Sequence, residues 1–182
     1  MVVNTLSGNT IARIAIPGIG GIAGSAVSPD GLKVYVAESI SNVVINASTN
    51  TVFSTINLGA NVFPYGIAIS PNGSTVYATD QRHNVIVINA LSNSVVATIF
   101  MGTGQGAFPF GIAVSPDGSK VYAANTNNNN LAVINTATNT LVDTIPVGRG
   151  PYGVALTPDG SLVYVANEFS NTVSVVNTST SS

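Results

Sequence analysis

Short apolar runs recur along the whole chain, and each ends in a cluster of Pro, Gly, Asn, Asp, Ser or Thr. The stretch beginning at Pro109 shows the pattern. Ile112-Ala113-Val114-Ser115 has no alternation of apolar and polar positions, as expected of a strand buried on both faces. Pro116-Asp117-Gly118 predicts a tight turn, because Pro sets φ and Gly accepts positive φ. Lys120–Ala124 predicts a second strand, Asn125–Asn129 a loop, and Asn130–Asn135 a third strand with partial alternation. After a turn at Thr136–Asn139, Thr140–Ile145 predicts a fourth strand, more polar, as suits an outer edge. β-branched residues dominate these runs and no helical period is present.

The unit is repeated. Ser28-Pro29-Asp30-Gly31 returns as Ser70-Pro71-Asn72-Gly73, Ser115-Pro116-Asp117-Gly118 and Thr157-Pro158-Asp159-Gly160, with prolines 42, 45 and 42 residues apart. Such a period marks an array of small sheets, each unable to bury a core alone. Four antiparallel strands per repeat predict an all-β fold, a β-propeller with four four-stranded blades. The repeats run approximately over 22–63, 64–108, 109–150 and 151–182, within a single domain spanning 1–182. The chain ends are out of phase with the blades. Val2-Val3-Asn4 reads as the end of a third strand and Thr10–Ile16 as a fourth, whereas Thr172–Asn177 is a third strand with none after it. The expectation is that the N-terminal strand completes the last blade, which pairs two exposed edges. Three assemblies stay open: a compact four-blade monomer, an eight-blade ring made by dimerisation, and a fragment of a longer array. Four blades must stand about 90° apart and eight about 45° for closure.

Val34-Tyr35-Val36-Ala37-Glu38, Val76-Tyr77-Ala78-Thr79-Asp80, Val121-Tyr122-Ala123-Ala124-Asn125 and Val163-Tyr164-Val165-Ala166-Asn167 resemble the YVTN β-propeller repeat. Asn84–Asn89 and Asn171–Asn177 do so as well, and the resemblance covers essentially the whole chain. It implies kinship with surface-layer and secreted binding or structural proteins, and more distantly with lactonase and lyase propellers. Rings in that family most often have seven blades.

Composition sharpens this picture. Hydrophobic residues make up 45% of the 182 and charged residues 7%, against roughly 25% charged in soluble domains. The surface is therefore built from Asn, Ser, Thr and Gly, which points to an extracellular or cell-surface setting. The net charge is −2, and Arg13, Lys33, Arg82, Lys120 and Arg149 are scattered, so binding to nucleic acid by phosphate neutralisation is excluded. The chain has no Cys and a single His, His83, so thiolate sites and an intrachain His cage are excluded and no metal or cofactor is expected. No apolar run is long enough for a membrane helix. Met1-Val2-Val3-Asn4 lacks the features of a signal peptide, so the expectation is a cytosolic protein or one whose leader has been removed.

In a propeller, the loops joining second to third strands share one face with the blade-to-blade loops. Here these loops carry most of the variation between repeats. The binding candidates on them are Glu38, Asp80, Arg82, His83, Asn125, Arg149, Glu168 and Phe169; the blade-to-blade loops add Phe63, Tyr65, Phe108, Phe110 and Tyr152. Asp80-Gln81-Arg82-His83 reads either as an anion or acid–base site or as a solvated hairpin loop. Glu38, Asp80, Asn125 and Asn167 are equivalent positions: either a circle of polar groups for a cation or sugar, or strand-end residues bonding local backbone. Tyr65, Phe110 and Tyr152 are also equivalent, and either stack on a ligand or wedge between blades. The first blade has Gly18–Gly24 in place of Pro-aromatic-Gly, which predicts the most mobile connection. The expected function is a non-enzymatic binding or structural scaffold presenting loops to protein or carbohydrate, with no catalytic residue. The alternative is a lactonase-like or lyase-like enzyme using Asp80, Arg82, His83 and Glu168.

Overall fold

A computed structural model describes residues 1–18, 20–102 and 108–179. Ile19 in the first Gly-rich stretch, residues 103–107 of the second repeat and residues 180–182 lie outside the described residues. Strands β1 (Val2–Val3) and β2 (Thr10–Ala12) pair with each other. Blade 1 follows as β3 (Ile22–Val27), β4 (Lys33–Glu38), β5 (Ser41–Asn46) and β6 (Thr51–Asn57). Blade 2 is β7 (Pro64–Ile69), β8 (Thr75–Asp80), β9 (Asn84–Asn89) and β10 (Ser94–Phe100). Blade 3 is β11 (Pro109–Val114), β12 (Lys120–Asn125), β13 (Asn130–Asn135) and β14 (Thr140–Pro146), with a 3-10 turn at Thr126–Asn128. Blade 4 is β15 (Pro151–Leu156), β16 (Leu162–Asn167) and β17 (Thr172–Asn177). Each sheet is an antiparallel meander whose strands neighbour in chain order. The all-β propeller-blade expectation holds.

The runs without alternation are the middle strands, and they are buried on both faces because each blade is sandwiched. Val43 and Val44 are adjacent and both fully buried: Val44 packs with Tyr35 toward Val76 and Ile88 of blade 2, and Val43 faces the other way. Tyr77, Val85 and Met101 of blade 2 meet Val121 and Ile134 of blade 3. Tyr122 and Leu131 of blade 3 meet Val163 and Val165 of blade 4. The inner strands approach so closely that glycine is required. A Cβ at Gly24 would lie 2.5 Å from the Tyr65 carbonyl oxygen, and one at Gly66 inside 3.0 Å of the Phe110 carbonyl oxygen. Hydroxyls tie the same joints: Thr79 Oγ1 donates to the Phe110 carbonyl at 2.9 Å, and Thr126 Oγ1 to the Pro151 carbonyl at 2.6 Å.

On the opposite end of the strands, the Ser-Pro-Asp-Gly turns close as the residue types dictate. In the third, Ser119 N donates to Asp117 Oδ1 at 3.0 Å, and Gly118 takes φ +73°. The Ser115 hydroxyl first, then the Ser119 hydroxyl and backbone, hold Asp117 down at about 2 from its ordinary 3.8. The Thr157 hydroxyl leads the same effect on Asp159, also to about 2, and the Ser28 hydroxyl lowers Asp30. A carboxylate depressed in the fold stabilises it above the unfolded value and ceases to do so as pH falls through the folded one. Stability is therefore expected to be level above about pH 4 and to fall from there toward about pH 2. Melting curves of the Asp117→Asn/Asp159→Asn variant should show a shallower acid fall; an unchanged slope would refute the assignment. These side chains are exposed, so the effect is small.

One expectation needs correction. The N-terminal strand does not complete the last blade: β2 pairs with β1, and the sheet of β15, β16 and β17 has three strands. Ile14 and Ile16 instead pack on Val36, Val43 and Ile45, the outward face of blade 1. The physical reason is burial. Middle strands apolar on both faces need cover on both, and the segment just before blade 1 is the nearest cover. Crossing to β17 would strip that face. Nothing comparable covers the far face of blade 4, where Tyr164, Val173 and Val175 are 41%, 61% and 56% exposed. The described blades thus form an arc with one bare end.

Candidate loop-face site

The four equivalent polar residues lie beneath the loops. Glu38, Asp80, Asn125 and Asn167 are all buried, each against the segment that leads into its own blade. Asp80 Oδ1 accepts from Phe63 N at 2.9 Å and Arg82 N at 3.2 Å, and its Oδ2 accepts from Asn84 Nδ2 at 3.1 Å. Asn125 Nδ2 donates to the Met101 carbonyl at 3.4 Å. Asn167 Nδ2 donates to Ser174 Oγ at 2.9 Å and lies so close to Gly148 that a Cβ there would stand 2.5 Å away. Glu38 Oε2 accepts from Ser41 Oγ at 2.9 Å, and a Cβ at Gly18 would stand 2.5 Å from its Oε1. Of the two sequence readings, the bonding to local backbone describes what Asp80 and Asn125 do. Oε1 of Glu38 and Oδ1 of Asn125 and Asn167 have no hydrogen-bond partner among the described residues.

Above this layer stand aromatic rings. Tyr65, Phe110 and Tyr152 converge from three successive inner strands. Phe110 stacks on Tyr152 at 4.7 Å between centroids and meets Tyr65 edge-on at 4.6 Å. The Tyr65 and Tyr152 hydroxyls hydrogen-bond to each other. That bond first, then burial, pushes Tyr152 up to about 12 from its ordinary 10.0. The rings are half-buried, so they wedge the blades together and still show part of their surface.

A second patch sits on blade 2. The exposed Arg82 guanidinium lies over the Phe63 ring at 5.1 Å. His83 takes φ +78°, where the corresponding loops of blades 3 and 4 place Asn129 and Asn171 at +52° and +53°. An imidazole in the left-handed region costs about 1 kcal/mol or more. Its ring packs near Phe100 and Phe108, at 6.4 and 6.2 Å. Both phenylalanines are substantially exposed. Phe100 was not among the sequence candidates. Its signal is a bulky ring ending a fourth strand, where blades 1 and 3 have Asn57 and Pro146.

Arg149, Glu168 and Phe169 share a third region, on blade 4, and all three are exposed. Phe169 N donates to the Arg149 carbonyl at 3.1 Å, and the Phe169 ring lies against Gly150. Glu168 and Tyr152 border a cleft of about 580 Å³. The structure thus brings Arg82 and His83 together on blade 2, and Arg149, Glu168 and Phe169 together on blade 4. Among the described residues, no three His, Cys, Asp or Glu side chains form a group suited to a metal.

A family model described as Lactonase, 7-bladed beta-propeller, matches residues 94–182. No curated protein matches the chain. Hydrazine synthase from Kuenenia stuttgartiensis is similar in structure, at TM-score 0.81 and 22% identity, over 94% of this chain and 50% of its own. The WD40 repeats of RRP9 are similar at TM-score 0.73 and 19% identity, over 91% and 53%. A functionally unknown protein from Desulfotomaculum acetoxidans is similar at TM-score 0.72 and 23% identity, over 88% and 56%. The chain spans about half the length of each of these structures. Such likeness establishes the β-propeller fold.

Proposed function

We propose that this chain is a non-enzymatic β-propeller binding scaffold of the YVTN-repeat kind, secreted or held at a cell surface. Its loop face takes carbohydrate, or a protein surface of similar polarity. One observation carries this reading: the equivalent polar residues are buried beneath the loops, while Phe63, Arg82, Phe100 and Phe108 are presented above them. Aromatic faces stack on the C–H faces of sugar rings, and a cation beside them adds a polar contact. The surrounding Asn, Ser and Thr supply neutral hydrogen-bonding groups.

The lactonase family match favours the enzymatic alternative. Its proposed residues are separated in role and place. Asp80 is buried with both oxygens engaged, His83 sits against Phe100 and Phe108 on blade 2, and Glu168 lies beside Tyr152 on blade 4. Proton transfer needs its groups within hydrogen-bond reach of one reacting atom. A glycan array followed by titration tests the proposal. Phe100→Ala and Arg82→Ala are each expected to weaken binding about tenfold and leave the melting temperature unchanged. Lactone hydrolysis by the wild-type chain that disappears in His83→Ala would overturn it.

A further inference from the structure

We propose that the bare face of blade 4 docks the first blade of a second copy of this chain. The same joint occurs three times within the chain. Gly24, Gly66 and Gly111 each lie at the second-to-third position of a blade's inner strand, and each meets the backbone of the next blade's inner strand. At Gly111 a Cβ would stand inside 3.0 Å of the Tyr152 carbonyl oxygen. Gly153 is the fourth member of this series. A Cβ there would meet only Ala166 Cβ, at 3.7 Å, and Gly153 is absent from the positive-φ residues. Neither local geometry nor crowding within the chain calls for glycine at that position. A neighbouring inner strand would, as it does in blades 1 to 3.

The rest of the face agrees. Tyr164, Val173 and Val175 occupy places that are covered in the earlier blades: their counterparts Tyr122, Leu131 and Val133 are buried. A contiguous apolar face of this kind on a sheet is an interaction surface. The complementary surface is at the other end of the arc. Ile22 and Val27 on β3 are 57% and 58% exposed, whereas Pro64 and Ile69, at the same places in β7, are buried or half-buried against blade 1. The joint starts on β3 and requires Ile14 and Ile16 to move off the middle strands of the receiving blade. Because the two surfaces differ, the contact is heterologous, and two copies close it with two identical joints and eight blades. This inference rests on the fold alone and is independent of the ligand proposed above.

Light scattering on the 182-residue chain tests it. The expected mass is twice 18.4 kDa. Gly153→Val and Val173→Asp are each expected to raise the dimer dissociation constant at least tenfold. Circular dichroism should show both variants folded, since neither site is packed within the chain. A monomer at every concentration overturns the proposal. So does a dimer indifferent to both substitutions, or a mass that grows without limit, which would mean an open filament.

Discussion

Replacing Gly66 with alanine is expected to destabilise the protein by about 3 kcal/mol, near the top of the range for overpacking a core. The added methyl has no room. It would press on the Phe110 carbonyl oxygen, with Thr79 Oγ1 at 3.0 Å and Ile112 Cγ2 at 3.2 Å on its other sides. The carbonyl cannot retreat cheaply, because it accepts the Thr79 hydroxyl that fastens blade 2 to blade 3. Gly66 N also donates to that hydroxyl at 2.7 Å, so one substitution strains two hydrogen bonds. For a chain of this length the loss corresponds to a fall of about 10 °C in melting temperature. Gly153→Ala is the matched control and should change the monomer's stability by well under 1 kcal/mol. Denaturant titration of the two variants under monomeric conditions settles the comparison. Equal losses would mean that glycine is needed for its backbone and not for the neighbour.

Asp80→Ala is expected to cost about 3 kcal/mol as well, by a different route. Asp80 is 1% exposed and gathers the backbone N–H of Phe63, the backbone N–H of Arg82 and the Asn84 side chain. Truncation leaves three donors short of an acceptor in a place water reaches poorly. Hydrogen bonds to a charged acceptor are the stronger kind, and stranded partners lose their full desolvation cost. Asp80→Asn retains one carboxamide oxygen for Phe63 and Arg82, and should lose about 1 kcal/mol. Binding by the blade 2 patch should weaken alongside, since Phe63 and Arg82 are the residues that Asp80 holds in place. Thermal unfolding and ligand titration on the same samples check this. Loss of binding with stability untouched would make Asp80 a ligand contact instead.

Much of the fold was legible residue by residue. Lys120–Ala124 and Asn130–Asn135 were read as strands from their apolar runs, and the structure extends only the first, by Asn125. Ser115-Pro116-Asp117-Gly118 was read as a turn from Pro and Gly, and the hydrogen bonds close it as the residue types require. The site was less legible. Asp80-Gln81-Arg82-His83 stood out as dense in chemistry, but its members do separate things: Asp80 anchors backbone, Arg82 lies on Phe63 and His83 lies by two phenylalanines. Phe100 escaped notice because an aromatic on an outer strand resembles an ordinary edge residue. Its contact with His83 links β10 to the loop after β8, and the strand order across the sheet decides it.

The sequence alone determined the repeating unit, its four strands, its turns and the identity of the equivalent positions. Those depend on local steric and hydrophobic periodicity, and both are written in neighbouring residues. Only the tertiary structure decided what the equivalent positions face. Sheet stacking turns Gly24, Gly66 and Gly111 into close approaches and leaves Gly153 without one. It places Asp80 under the loop rather than on it. It also sends Ile14 and Ile16 to cover blade 1 in place of completing blade 4. Each outcome turns on which apolar faces find cover and which do not. That is a balance of burial over the whole arc, and no single repeat contains it.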